Sequence, residues 1–280
     1  MLDPATLAAW HQEGFLVLPG FKPPEAIAAV RERALAIVAE RAALDCAAVF
    51  SSRERERLGQ QALLESADQV RCFMEEDAVD ARGHLTVPLD RAVNKIGHAL
   101  HDRDSVFERF SRDPRLAELA RDLGLENPLL MQSMLIFKQP RIGGEVCWHQ
   151  DASFLATEPQ SVVGFWFALE VATRDNGCLW VAPGGHRGPL RERYVKRDDG
   201  ALEMQALDAT PWPRNAATRA LEVPAGTLVV FDGLLPHASA PNRSSVSRMA
   251  YTLHAVDAAA IWSPRNWLQR TQDFPARGFT

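Results

Sequence analysis

The chain has only four cysteines, Cys46, Cys72, Cys147 and Cys178, and no C-x-x-C pair among them. That excludes a disulfide framework or a zinc-thiolate site and fits structural thiols in a reducing compartment. An excess of positive charge is also absent: 31 Lys and Arg against 36 Asp and Glu give −5 at pH 7. Phosphate backbones require a basic footprint, so nucleic acid is not expected as the main partner. The longest apolar run, Val162–Leu169, is about a third of a membrane span. Met1–Gly20 has no basic start followed by an apolar stretch, so neither a spanning segment nor a secretory signal is read, and a cytoplasmic location is expected. What remains is a chain of 280 residues, 46% apolar and 24% charged, long enough for one substantial core, and a single domain over residues 1–280 is expected.

The pattern changes along the chain. Residues 1–125 read as mainly helical support. Phe15–Leu18 is strand-like, and in Glu25–Ala43 the residues Ile27, Val30, Ala34 and Ile37 share one helical face. Ala92–Leu100 and Ser105–Leu123 continue the helical reading, with Asp113-Pro114 at a helix start. Ser51–Ala81 is polar and weakly periodic, an exposed helix or a loop. From 126 to 280 short strand-like runs follow: Leu129–Lys138, Gly144–Trp148, Val162–Val171, Cys178–Val181, Gly226–Phe231 and Arg248–Val256. Turn clusters such as Asp175-Asn176-Gly177 separate them. Residues 188–218 read as a long loop or lid over the sheets. Helices first and many short strands later predict an α+β fold, a double-stranded β-helix or jelly-roll core buttressed by N-terminal helices.

The strongest chemical signal is Trp148-His149-Gln150-Asp151. Residues two apart in an extended strand share a face, so His149 and Asp151 can chelate one ion while Gln150 points away. Alone, an H-x-D tripeptide is commonplace. His237 supplies a second imidazole, and two histidines plus one carboxylate leave three positions open on a metal, as in non-haem iron(II) oxygenases. Arg248, eleven residues beyond His237, could take the far carboxylate of a keto acid in a bidentate pair. His98, His101 and His254 lack ligand spacing to these residues and read as structural, as do Trp148, Trp262 and Trp267. His186 reads as closing a turn, and Lys138 and Gln139 as lining an entrance.

These residues lie in segments with a family likeness. Gly14–Gly20 (GFLVLPG), Asn94–His101 (NKIGHALH), Gln132–Gln139 (QSMLIFKQ), Gly143–Pro159 (GGEVCWHQDASFLATEP), Asn176–His186 (NGCLWVAPGGH), His237–Arg248 (HASAPNRSSVSR) and Trp262–Leu268 (WSPRNWL) occur in family order. The sequence resembles the phytanoyl-CoA dioxygenase family of iron(II)- and 2-oxoglutarate-dependent oxygenases. The resemblance implies His149, Asp151 and His237 as iron ligands. It implies Lys95, Met134, Trp166, Ser239 and Arg248 as contacts to 2-oxoglutarate, with Arg248 and Ser239 on the distal carboxylate. The implied reaction uses O2, converts 2-oxoglutarate to succinate and CO2, and hydroxylates a small organic or acyl substrate, with no catalytic residue beyond the metal centre. Asp151 speaks for hydroxylation, because halogenases of this superfamily carry a small residue there. Gly185 departs from the usual serine, a turn change without expected consequence. Arg187, Arg191, Arg193, Lys196 and Arg197 form a basic cluster that could meet a CoA thioester. No protein partner is expected. The rival readings are a cupin-like metalloenzyme that does not use 2-oxoglutarate and a non-catalytic ligand-binding protein.

Overall fold

A computed structural model describes residues 2–41, 49–50, 57–80, 84–214 and 217–279. Cys46, and residues 51–56 and 81 of the polar Ser51–Ala81 segment, lie outside the described residues. The N-terminal part comprises α1 (Pro4–Glu13), β1 (Phe15–Leu18), α2 (Pro24–Arg41), β2 (Val49–Phe50), α3 (Arg57–Leu64), β3 (Val70–Glu75), α4 (Leu89–Ala92), β4 (Val93–His98), α5 (Leu100–Arg103), α6 (Ser105–Ser111) and α7 (Pro114–Asp122). The strand-rich part follows with β5 (Pro128–Lys138), β6 (Val146–His149), β7 (Thr157–Glu158), β8 (Val163–Ala168), β9 (Leu179–Val181), β10 (Glu192–Lys196), β11 (Leu202–Ala206), β12 (Arg219–Leu221), β13 (Leu228–Asp232), β14 (His237–Ser239), β15 (Arg248–Asp257) and β16 (Ile261–Trp262).

Two sheets form the core. The major sheet has eight strands in the order β1-β13-β8-β15-β5-β4-β3-β2, and the minor sheet four in the order β12-β9-β14-β6. Side chains alternate across a strand, so the major sheet sorts its residues onto two faces. One face carries Leu135, Phe137, Phe165, Phe167, Tyr251 and Leu253 against the helices, where Ile27, Val30, Phe107, Phe110 and Leu116 complete a single apolar cluster. The other face carries Trp166, Ala168, Val229, Phe231 and Ala250 against Leu179, Val181 and Leu221 of the minor sheet. The result is an α+β fold with a jelly-roll core and helices packed on its outer face.

Local sequence accounts for the helix ends. Asp3 accepts from the amides of Ala5 and Thr6 to start α1, and Gly14 at φ 80° stops it in the left-handed conformation that favours glycine. Asp113 accepts from the Arg115 amide, with Pro114 in the first turn of α7. That start divides the expected Ser105–Leu123 helix in two. In α2 the buried residues are Ile27, Val30, Ala34, Ile37 and Val38, the face expected from their spacing.

Three expectations are corrected. The helix expected over 92–100 is β4, hydrogen-bonded between β3 and β5. Sheet pairing outweighs its weak helical pattern, because Ile96 buries on the core face while Lys95 takes the other. The Ser51–Ala81 segment contains α3 and the strand β3, whose Cys72, Phe73 and Met74 are buried, so it is not merely exposed helix or loop. Within 188–218 a hairpin of β10 and β11 pairs Tyr194 with Met204, and Tyr194 and Leu202 are buried. The hairpin therefore has its own small apolar contact with Leu155 and Trp267, which a featureless loop would lack.

Candidate metal centre

His237 on β14 lies directly opposite His149 at the end of β6. Gln150 continues the extended backbone and Asp151 opens a short 3-10 turn, so the H-x-D spacing turns both side chains inward. One ligand atom from each of His149, Asp151 and His237 lies within 4.8 Å of the others. The Nε2 atoms of His149 and His237 are 3.7 and 3.6 Å from the same carboxylate oxygen, Asp151 Oδ1.

Hydrogen bonds fix how the rings are presented. His149 Nδ1 lies 2.8 Å from the Cys147 carbonyl and His237 Nδ1 3.0 Å from the Leu235 carbonyl. Carbonyl oxygens only accept, so each Nδ1 carries the proton and each Nε2 presents its lone pair toward Asp151. Burial, then the neighbouring His237, pull the His149 imidazole down to about 3, so this ring is neutral and able to ligate. Asp151 is buried, which pushes its carboxyl up, but His254 and His237 outweigh that and hold it well below the ordinary carboxylate range. Its second oxygen, Oδ2, accepts from His254 Nε2 at 3.1 Å.

His254 is the residue that sequence reading treated as structural and the structure brings to the centre. A signal for it exists: Arg248, Ala250, Thr252 and His254 alternate along β15 and share its inward face. Gly164 on β8, opposite His254, was not singled out in the sequence and also borders the centre. A Cβ there would come within 2.8 Å of Asp151 Oδ2 and 2.6 Å of the Phe231 ring. Gln150 is structural as expected, donating to the Pro189 and Leu234 carbonyls and accepting from the Arg191 amide.

A second locus lies at the other end of the inward face of β15. Arg248 is 1% exposed, donates Nε to the Gly177 carbonyl at 3.1 Å and stands over the Trp166 ring at 5.6 Å. Its Nη1 is buried and has no partner among the described residues. Burial pulls its guanidinium down to about 10, still charged at neutral pH. Gly177, at φ 84°, lies in the predicted Asp175-Asn176-Gly177 turn, where a side chain would strike the Ala240 carbonyl. Lys138, expected at an entrance, is buried opposite Arg248 and donates to the carbonyls of Gly144, Ser239 and Ala240. Gln139 is likewise buried, bound to the Asp90 and Val93 carbonyls.

Between the two loci, Met134 and Trp166 flank Thr252 on the neighbouring strands. Ser239 lies two residues after His237 on β14, buried on the same face. Lys95 is buried on β4 with its Nζ 5.3 Å from the Phe73 ring centre, and burial pulls it down to about 7. Its expected helix is absent, and on β4 it takes the face opposite Ile96.

Other expectations divide. Trp267 is a packing anchor, set edge-on to His98 at 4.9 Å. Trp148 instead lines an open groove of about 520 Å³ on the outer face of the minor sheet with Trp180. The basic residues of 187–197 do not form a common cationic face. Arg187 binds the Gln12 carbonyl, Arg191 is buried against Trp212 and the Thr210 carbonyl, and Arg197 pairs with Asp199.

The model of the family described as Phytanoyl-CoA dioxygenase (PhyH) matches residues 10–250. The chain is 43% identical over 282 residues to phytanoyl-CoA dioxygenase domain-containing protein 1 of Bos taurus, covering 98% of this chain and 97% of that one. It is 38% identical to a phytanoyl-CoA dioxygenase of Arabidopsis thaliana, covering 97% and 95%. Among solved structures, EctD from S. alaskensis with 2-oxoglutarate and 5-hydroxyectoine superimposes with a TM-score of 0.64 at 20% identity, over 96% of this chain and 84% of that one. At that identity the likeness concerns the fold. No helix among the described residues is long and apolar enough to cross a membrane.

Proposed function

The chain belongs to the phytanoyl-CoA dioxygenase family, and on that premise we propose that it is an Fe(II)- and 2-oxoglutarate-dependent dioxygenase that hydroxylates a small organic or acyl substrate, releasing succinate and CO2. The observation that carries this reading is the convergence of two Nε2 lone pairs and one carboxylate oxygen within 4.8 Å. Two imidazoles and one carboxylate on one side of an ion suit ferrous iron and leave positions for a chelating keto acid and dioxygen. The donors fit: protons on both Nδ1 atoms are taken by carbonyls, and Asp151 is held ionised by its neighbours. A solved neighbour, EctD, is described with bound Fe, and another, SnoN, in complex with Fe3+ and alpha ketoglutarate, which supports the same reading.

Iron with 2-oxoglutarate would supply the oxygen activation, and the protein's own groups do the rest. His149, Asp151 and His237 would hold the metal, and His254 keeps the Asp151 carboxylate from rotating. The unpartnered Nη1 of Arg248 is suited to a carboxylate, with Ser239 beside it and Trp166 as the wall that keeps water from the ion pair. Met134 and Thr252 would flank the keto acid's stem, and Lys95 would add a second cation on the β4 side. The face against the helices is apolar, which supports assigning co-substrate binding to residues of the inward face.

The test is succinate release from 2-oxoglutarate under air with added iron(II). His149→Ala and Asp151→Ala are expected to abolish it while circular dichroism stays that of a folded protein. Arg248→Ala is expected to raise the 2-oxoglutarate concentration for half-maximal rate by about a hundredfold, the effect of losing a buried charge-assisted pair. Undiminished release in both ligand variants contradicts the metal assignment, and an unchanged 2-oxoglutarate requirement moves the anchor away from Arg248.

A further inference from the structure

Two cations are buried side by side at the far end of the inward face. Lys138 on β5 and Arg248 on β15 are directly opposite in the antiparallel register, and each is 1% exposed. Opposed residues of antiparallel strands project on the same side of the sheet, where like charges disfavour the pairing. Packing alone would not keep such a pair, and the hydrogen bonds show that the two groups do different work. An ammonium has three protons, and Lys138 Nζ donates to three carbonyls, those of Ala240 at 2.8 Å, Ser239 at 3.3 Å and Gly144. That leaves it no proton for a ligand. Arg248 is bonded through Nε to the Gly177 carbonyl at 3.1 Å, while its buried Nη1 has no partner among the described residues.

The carbonyls that Lys138 holds belong to the two segments that carry the histidine ligands. Gly144 stands two residues ahead of β6, which ends at His149, and Ser239 ends β14, which begins at His237. Glu75 on β3 takes the other side of Gly144: both of its oxygens accept from the Gly144 amide, at 3.3 and 3.2 Å, in a residue 2% exposed. Gly177 joins this group to Arg248. A Cβ there would come within 2.6 Å of the Ala240 carbonyl oxygen and 3.3 Å of Lys138 Cδ, so the turn whose carbonyl holds Arg248 rests on the Lys138 stem and on a carbonyl that Lys138 grips. The metal end is oriented separately, since His149 and His237 are fixed by the Cys147 and Leu235 carbonyls, which Lys138 does not touch.

Resting on the proposed oxygenase reading, we propose that Lys138 is a positioning residue for the distal carboxylate of 2-oxoglutarate: it contacts no ligand itself but, with Glu75 on the far side of Gly144, clamps Ser239, Ala240 and Gly177 so that Ser239 and Arg248 Nη1 stand ready for that carboxylate. Removing the clamp lowers affinity for keto acids that have a distal carboxylate and spares those that lack one. Metal affinity is left as it was.

The test is calorimetry on the full chain loaded with Zn(II) in place of iron. It is run at pH 6.5, below the value of about 7 to which burial, then Arg248, pull Lys138, so that the ammonium prevails. The titrants are 2-oxoglutarate and 2-oxovalerate, which has the same keto-acid head and a methyl in place of the distal carboxylate. Lys138→Met, which keeps the stem and removes the donors, is expected to bind 2-oxoglutarate at least about tenfold more weakly, with affinities for 2-oxovalerate and Zn(II) within about twofold of the unsubstituted protein. Glu75→Gln is expected to show the same selectivity with a smaller loss, and it decides the matter if Lys138→Met does not fold. In an Arg248→Ala background, Lys138→Met is expected to cause no further loss, because it acts through Arg248. Equal losses for both keto acids, no loss for either, or a loss that adds to that of Arg248→Ala overturns the inference. The unsubstituted protein separates the two levels. Zn(II) bound without any 2-oxoglutarate binding overturns the oxygenase reading and this inference with it, whereas a preference for 2-oxoglutarate over 2-oxovalerate that Lys138→Met leaves intact overturns this inference alone.

Discussion

At the scale of single residues, Asp151 is the pivot, because its two oxygens do different work. Oδ1 faces the two ligand imidazoles and Oδ2 is tied to His254. A carboxylate held by one oxygen presents the other in a fixed direction, which is what partners behind a metal ligand usually achieve. His254→Phe is therefore expected to weaken iron(II) affinity by roughly ten- to a hundredfold, read by calorimetry, with His254→Gln intermediate; unchanged affinity in His254→Phe would deny it that role. Lys138 gives a pH-dependent consequence. Burial, then Arg248, pull its ammonium from 10.5 to about 7, and burial does the same to Lys95. Between those values the unfolded chain holds protons that the folded chain lacks, so stability rises with pH from about 7 upward. Below 7 the cost of burying the charges is felt in full. Cys178, pushed up from 9.0 to about 11 by burial, acts in the opposite sense above pH 9, so the rise is steepest in the window from 7 to 9 and slows beyond it. Each lysine contributes on the order of 2 kcal/mol across it, and Lys138→Met should remove about half of the increase in urea-unfolding free energy. An undiminished rise in that variant would place the titration elsewhere.

At the scale of elements, β15 organises the molecule. It lies between β5 and β8, its odd-numbered residues Met249, Tyr251 and Leu253 entering the core against the helices, and its even-numbered residues Arg248, Thr252 and His254 facing the site. The H-x-D motif was legible in the sequence because its geometry is local: two residues in extended chain settle the facing. Arg248 was legible too, once His237 stood upstream of it. His254 was not, since its value depends on Gly164 leaving room across the strand pair for the Asp151 carboxylate, a register that no single strand announces. The same limit explains β4, whose short run between charged neighbours scans as a helix and becomes a strand only because β3 and β5 pair with it on both sides. The role of Gly164 can be measured directly. Gly164→Ala is expected to push against Asp151 Oδ2 and Phe231, lowering stability by about 1–3 kcal/mol and iron affinity by at least about tenfold. A variant with wild-type affinity would mean the carboxylate has more room than the strand pair gives it.

At the scale of the whole molecule, the site depends on chain segments far apart in sequence. The C-terminal stretch returns across the helical side, where Asp102 accepts from Arg112, Arg270 and Arg277 at 2.6, 2.9 and 2.8 Å. Burial raises that carboxyl, but His101 and the guanidiniums of Arg277 and Arg270 outweigh it and hold it well below the ordinary range. Phe279 then buries against Phe165 on the core face of β8, and Trp267 against His98. A sequence reading gives the α+β class and the two-sheet core from texture alone, yet it cannot show that the end of the chain packs back on β8, because the pairs from Arg270 and Arg277 to Asp102 join residues more than 160 positions apart. The central claim is that this assembled face holds ferrous iron and 2-oxoglutarate together. Its most direct measurement is anaerobic titration of the iron(II)-loaded protein with 2-oxoglutarate, following the weak visible charge-transfer band of a bidentate keto-acid chelate. The account predicts a saturable band that is absent in His149→Ala and needs far more 2-oxoglutarate in Arg248→Ala. Iron bound tightly with no band at any 2-oxoglutarate concentration would contradict it and point to a cupin-like metalloenzyme instead.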